Sequence, residues 1–213
     1  MGIAMIELHN IDCMEYLATC EDNAFELAIV DPPYGIGDFW KGGDTTKLKR
    51  INEIRKSEKS WNNETPTKAY WTELDRVSKN FIAWGWNYYT EFLGNSDSLI
   101  YWYKKMGAPN YSDGELAYTT FKHKVKTYYL HPSNGMEGRT HPCQKPVKLY
   151  EWLLMNYANE GDRILDTHLG SGSIAIACHN LGFDLVGCEL DTDYFNAAQK
   201  RLKQHQAQLR IPV

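Results

Sequence analysis

The chain has 213 residues, 43% of them hydrophobic and 23% charged, with a formal net charge of −4. That is an ordinary globular composition, long enough for one large domain or a domain with an insertion. It excludes a generally basic nucleic-acid binder, and no apolar run approaches the length of a membrane span. The first residues, MGIAMIELHN, have no basic n-region and no long apolar run, so they do not read as a secretion signal. Five cysteines (Cys13, Cys20, Cys143, Cys178 and Cys188) include no CxxC pair and read as reduced thiols of a cytoplasmic protein. His123, His131, His141, His168 and His179 lack ligand spacing, so no metal site is expected.

In chain order, residues 5–8 read as a short strand, and CMEYLATC, 13–20, has apolar positions at helical spacing. AFELAIV, ending at Val30, is the continuous apolar run of a strand buried on both faces. DPPYG, Asp31 to Gly35, follows at once and places an acid, two prolines and an aromatic just past the carboxyl end of that strand. Open α/β sheets bind ligands at that edge. A residue before proline is pushed into an extended conformation, and prolines have fixed φ and free carbonyls. Asp31, Pro32, Pro33 and Tyr34 therefore form a rigid rim of carboxylate, backbone acceptor and flat ring, which suits an NH2 group on a planar molecule. A strand ending in a proline turn with a capping Asp is the plainer alternative.

Residues 36–66 are polar and lack a period, and are expected to be a long mobile loop. Thr67 can cap a helix to about Lys79 with Tyr70, Trp71, Leu74 and Val77 on one face. NFIAWGWN, 80–87, and SLIYWY, 98–103, read as strands whose Trp84, Trp86, Tyr101 and Trp102 belong to the core. Residues 104–140 have no strong period and contain a candidate hairpin, FKHKVKTYYLH. Lys104 reads either as a phosphate contact or as an exposed strand-end lysine. A helix opens near Pro146, a favoured first position, and ends by Gly161, with Leu149, Trp152, Leu153 and Met155 to Tyr157 on its apolar side. RILDTHLGSGSIAIACHNLGFDLVGCELD then reads as strand, glycine turn, helix and strand, a βαβ unit. The final helix, from Thr192, is expected to bury Phe195, Ala198 and Leu202. Alternating strands and helices imply a mainly parallel sheet.

Charge is unevenly spread. Residues 41–68 carry eight Lys/Arg against four acids, 104–126 carry five lysines against Asp113 and Glu115, and 151–193 carry eight acids and one Arg. Basic inserts on an acidic body fit a local polyanion contact, or simply solvated loops.

DTHLGSGS has Gly170 and Gly172 to turn tightly and admit a ligand, a helix N-terminus after them, and Glu189 at the end of the next strand to meet ribose hydroxyls. This points to nucleoside binding. Ala175 stands at the third position of G-x-G-x-x-G, which modestly disfavours a dinucleotide.

DPPY, then HPCQKP, then DTHLGSG resemble, in that permuted order, the β class of DNA amino-methyltransferases that use S-adenosylmethionine (SAM), mostly adenine-N6 enzymes. WGWNYY and SDGELAYTTF resemble its phage-type members. The resemblance runs from about Ile6 to Leu202. It implies a Rossmann-like methyltransferase fold over a single domain, 1–213, with a mainly parallel twisted sheet, helices on both faces and circularly permuted motifs. It implies transfer of methyl from SAM to the exocyclic amine of a flipped adenine in double-stranded DNA, as in restriction-modification and phage enzymes. It assigns Asp31, Pro32, Pro33 and Tyr34 to catalysis. Asp166, Thr167, His168, Gly170, Ser171, Gly172 and Glu189 match the cofactor loop and ribose acid, Asp12 the acid near the cofactor adenine, and His141, Gln144 and Lys145, with Asp31, the methionine end. Two departures stand out. His168 replaces an aromatic residue of the usual loop, and the segment before HPCQKP is short. The 36–66 loop and the 104–140 insert are left to grip DNA, with a homodimer to complete the grip. Cytosine-N4 methylation, amine methylation in RNA or protein, a non-catalytic subunit of this fold and a nicotinamide oxidoreductase are the alternatives. A leading Asp rather than Ser favours adenine over cytosine.

Overall fold

The computed structural model describes residues 4–36, 64–105, 112–133 and 144–208. Among these residues eight strands form one sheet: β1 (Ile6–His9), β2 (Phe25–Val30), β3 (Ser78–Trp84), β4 (Leu99–Tyr103), β5 (Gly114–Thr119), β6 (Lys126–Tyr129), β7 (Arg163–Asp166) and β8 (Asp184–Cys188), in the order β1-β8-β7-β2-β3-β5-β4-β6. The first five in that order are all parallel, β5 runs antiparallel to β3 and β4, and β6 is parallel to β4. The mainly parallel sheet expected from the sequence is therefore present, with one reversed strand.

Among the described residues six helices accompany it: α1 (Cys13–Leu17), α2 (Lys68–Val77), α3 (Thr90–Leu93), α4 (Val147–Tyr157), α5 (Ser173–Leu181) and α6 (Thr192–Gln206). Two apolar clusters, one on each face of the sheet, explain the unbroken apolar strands. Leu27, Ile29, Ile82, Trp84, Ile164 and Leu185 pack with α4, α5 and α6. Their alternates Ala28, Val30, Phe81, Ala83, Leu165 and Val186 pack with α1 and α2. A strand covered on both faces needs apolar residues at every position.

Several boundaries differ from the sequence reading. The third strand stops at Trp84, because Gly85 turns left-handed (φ 84°) and Trp86–Tyr88 form a single 3-10 turn. Thr67 occupies the cap position of α2 without a side-chain hydrogen bond. FKHKVKTYYLH, 121–131, does not make a hairpin: it holds the single strand β6, at the sheet's edge, while β5 before it lies inside the sheet. The buried phase of α6 is Tyr194, Ala198 and Leu202, not Phe195. In α4 it is Leu149, Tyr150, Leu153 and Leu154, and Met155 is exposed. Trp84 and Trp102 are core residues, as expected, in edge-to-face contact at 6.2 Å. No helix among the described residues is long and apolar enough to cross a membrane.

Candidate active site

Because β1, β8, β7 and β2 are parallel neighbours, their carboxyl ends line one edge of the sheet. Asp12, Glu189, Asp166 and Asp31 stand along that edge in this order. With about 4.8 Å between strands, the row spans roughly 14 Å. That suits an elongated ligand better than a single ion.

Asp31 has both carboxylate oxygens engaged. Its Oδ1 accepts the Tyr34 hydroxyl at 2.7 Å and its Oδ2 pairs with the Lys145 ammonium, which is 4% exposed. Burial pushes the Asp31 carboxyl upward, and the Lys145 charge opposes that push. Lys145 Nζ also lies 3.3 Å from the Tyr34 hydroxyl and over the rings of Trp84 and Tyr34, at 5.4 and 5.8 Å from their centres. The rim's backbone is held from below. The buried Tyr89 hydroxyl lies 2.7 Å from the carbonyls of both Pro32 and Pro33, to either of which it can donate. Tyr34 stacks on the half-exposed Tyr88 at 4.8 Å and rests on Gly85, where an added Cβ would lie 2.4 Å from the ring. Tyr88, Tyr89 and Gly85 all come from WGWNYY, of which the sequence reads only Trp84 to Asn87 as strand.

The glycine turn is built around Asp166 and Glu189. Asp166 ends β7 at 2% exposure and accepts the His168 N–H at 3.0 Å. Burial pushes its carboxyl up to about 8. Among the described residues no cation pairs with Asp166, so a ligand cation beside it would be favoured. Glu189 accepts the N–H groups of Gly170 at 2.8 Å and Asp191 at 2.9 Å, which ties the turn to the end of β8. Gly170 and Gly172 have φ of 52° and 70°. At Gly172 the need for glycine comes from packing as well: a Cβ there would meet that of Ala198 at 3.0 Å. Ser171 is buried, and its carbonyl accepts from Arg201 at 2.9 Å.

Thr167 and His168 close the other side. The Thr167 hydroxyl lies 2.7 Å from that of Tyr70 and 2.9 Å from His168 Nδ1. The His168 ring meets Tyr70 edge-on at 5.4 Å, and burial lowers its pKa to about 4, which keeps it a neutral flat surface. Tyr70 is thus both a core residue of α2 and a wall of the turn. Asp12 caps α1 by accepting the Met14 N–H at 2.7 Å. Gln144 is buried next to Lys145. His141 and almost all of the 36–66 loop lie outside the described residues.

Glu115, second residue of β5, was singled out only as a charge in the sequence reading. Its Oε2 lies 3.2 Å from Lys145 Nζ and its Oε1 pairs with Lys104. Lys104 is therefore neither a free strand-end lysine nor, in this state, a free phosphate ligand. Against burial, the two ammonium groups hold Glu115 at about 2.

The family model described as "DNA methylase" of N6/N4 type matches residues 25–200. The chain belongs to that family. Among curated relatives, the type II methyltransferase M.HpaI of Haemophilus parainfluenzae is 25% identical over 228 residues, covering 90% of this chain and 72% of that protein. M1.MboII of Moraxella bovis is 22% identical over 251 residues, covering 93% and 96%. Among solved structures, the M1.HpyAVI–SAM complex has a TM-score of 0.61 at 23% identity, covering 93% of this chain and 99% of that one. The PvuII cytosine-N4-specific DNA methyltransferase has a TM-score of 0.65 at 11% identity, covering 96% and 92%. The protein is a SAM-dependent DNA methyltransferase with the Rossmann-like fold of that family.

Proposed function

We propose that the methyltransferase acts on the N6 amine of adenine in double-stranded DNA, at a specific sequence, with Asp31 and the Pro32 carbonyl as acceptors for that amine. The observation that carries this reading is the half-buried Asp31 carboxylate fixed at the end of β2 beside the Tyr34 ring. Bound SAM supplies an electrophilic methyl group on a sulfonium. An exocyclic amine is a poor nucleophile because its lone pair conjugates with the ring. Two acceptors on its N–H groups favour a pyramidal nitrogen and free that lone pair. Positioning and fixed electrostatics then do most of the work. The base cannot be reached inside a duplex, so it must flip out, and Tyr34 offers a stacking face.

The cofactor residues fit SAM by their chemistry. Asp166 is a buried carboxylate without a cation partner among the described residues, which suits an ammonium. The glycine turn and Glu189 suit a ribose. Asp12 would lie toward the adenine, Thr167, His168, Gly170, Ser171 and Gly172 would wall the site, and His141, Gln144 and Lys145 would face the methionine end. DNA phosphates would be met by the 36–66 loop and the 104–140 segment, because the 151–193 region is acidic. A second subunit could extend the short recognition segment. The type II names of its relatives support a setting in restriction-modification.

The experiment is to methylate plasmid DNA with the protein and SAM, digest it to nucleosides, and identify the product by mass. N6-methyladenine is expected. N4-methylcytosine would replace this reading with the cytosine alternative.

A further inference from the structure

Both oxygens of Asp31 are engaged within the chain, Oδ1 by the Tyr34 hydroxyl and Oδ2 by the Lys145 ammonium. An incoming amine needs one of them. The ammonium has a second seat, because Glu115 Oε2 is only 3.2 Å from Lys145 Nζ. Glu115 is anchored in turn through its other oxygen to Lys104. Asp31, Lys145, Glu115 and Lys104 thus form a row of alternating charge with side-chain exposures of 17%, 4%, 23% and 18%.

The row exists because β5 is reversed. Glu115 lies at the start of a strand antiparallel to β3 and β4, so it arrives at the same edge of the sheet as the end of β2. Charge balance then decides what each member does. With Glu115 present, the Lys145 ammonium is shared between two carboxylates. With Glu115 neutral, Asp31 is the carboxylate left to it among the described residues, and in a poorly solvated place that pairing is tight. Removing Lys145 would not help. Two poorly solvated carboxylates would then face each other and one would take up a proton. The site needs the ammonium present but off Oδ2.

We propose that Glu115 is a positioning residue for methyl transfer: it draws the Lys145 ammonium away from Asp31 Oδ2 as the target amine arrives, leaving that oxygen as the acceptor. This rests on the reading of Asp31 as the amine acceptor. Glu115 suits the task because Lys145 and Lys104 keep it ionised, whereas burial pushes Asp31 upward. The Trp84 and Tyr34 rings flank the ammonium and can stabilise it through its short movement.

The test uses the full chain, duplex DNA and labelled SAM in single turnovers at saturating DNA. Glu115→Gln is expected to lower the single-turnover rate about tenfold or more, with the dissociation constants of SAM and DNA unchanged. Glu115→Asp, with the charge on a shorter arm, is expected to fall between that variant and the parent. In a Lys145→Met background, Glu115→Gln should cause no further loss, because Glu115 acts through that ammonium and removing its charge only leaves Asp31 easier to ionise. A parent-like rate for Glu115→Gln, or an equal loss in the Lys145→Met background, overturns the proposal. Should the Gln variant not fold, Glu115→Asp decides: a reduced rate at unchanged affinities supports the role and a parent rate overturns it. Asp31→Ala, run alongside, separates the two readings. If it keeps the parent rate, the assignment of Asp31 fails. If it is inactive while Glu115→Gln is normal, Glu115 alone is removed from the account.

Discussion

Gly85→Ala tests the seating of Tyr34 with one methyl group. The added Cβ would lie 2.4 Å from Tyr34 Cε1 and 2.8 Å from Cδ1, where ordinary contact begins at 3.4 Å. The ring must therefore retreat by about an ångström, the shortfall from ordinary packing distance. Gly85 also has φ of 84°, where a side chain costs about 1–2 kcal/mol. Moving the ring pulls the Tyr34 hydroxyl from Asp31 Oδ1, now 2.7 Å away, and a hydrogen bond to a charged group contributes about 1.5–3 kcal/mol. The sum is about 2.5–5 kcal/mol, or a fall in Tm of about 5–20 °C for a chain of this size. Thermal melting of parent and variant, with the methyl-transfer rate measured on each, is the assay. Activity should fall at temperatures where the variant is still folded, because Tyr34 and Asp31 no longer hold one geometry. A variant with parent Tm and parent rate would refute the close packing of Gly85 under Tyr34.

Tyr89→Phe leaves the Pro32 and Pro33 carbonyls without their hydroxyl donor and should cost about 1–2 kcal/mol in urea denaturation; an unchanged midpoint would contradict the support given to the rim. Glu189→Ala should weaken SAM binding by about 1–3 kcal/mol in calorimetry, and unchanged binding would remove Glu189 from the site. Asp166 has a carboxyl raised to about 8 by burial, so its contribution to stability is fully present below the unfolded pKa near 4. That contribution is lost as pH rises through about 8, with a slope of up to about 1.4 kcal/mol per pH unit. Denaturation of the ligand-free chain from pH 5 to pH 8 should show this slope in the parent but not in Asp166→Asn, and parallel curves would count against it.

The parts of the site legible in the sequence are those written within a few residues. DPPY follows an apolar strand, and DTHLGSG with Glu189 spans one strand-turn-helix-strand unit, so local pattern alone puts these acids on one edge. Glu115, Tyr70, Tyr89 and Gly85 were not legible as site residues, because each reaches the site through a pairing distant in sequence. β5 is half-buried, with only Ala117 and Thr119 buried, and β6 is an exposed edge strand, so neither shows a strong apolar alternation. Placing Glu115 beside Lys145 requires knowing that this weak strand runs backwards between β3 and β4. The misassigned phase of α6 has a smaller cause: Tyr194 and Phe195 are adjacent aromatics, and helical spacing to Ala198 admits either.

The central claim is that Asp31 accepts the target amine, and Asp31→Ala tests it most directly. The substitution leaves the Lys145 ammonium beside Glu115, so it orphans no buried charge and the fold should survive. Single-turnover methyl transfer at saturating DNA and SAM should fall by at least about two orders of magnitude, while calorimetry shows SAM binding largely retained. Turnover near the parent rate, with SAM binding intact, would contradict the account.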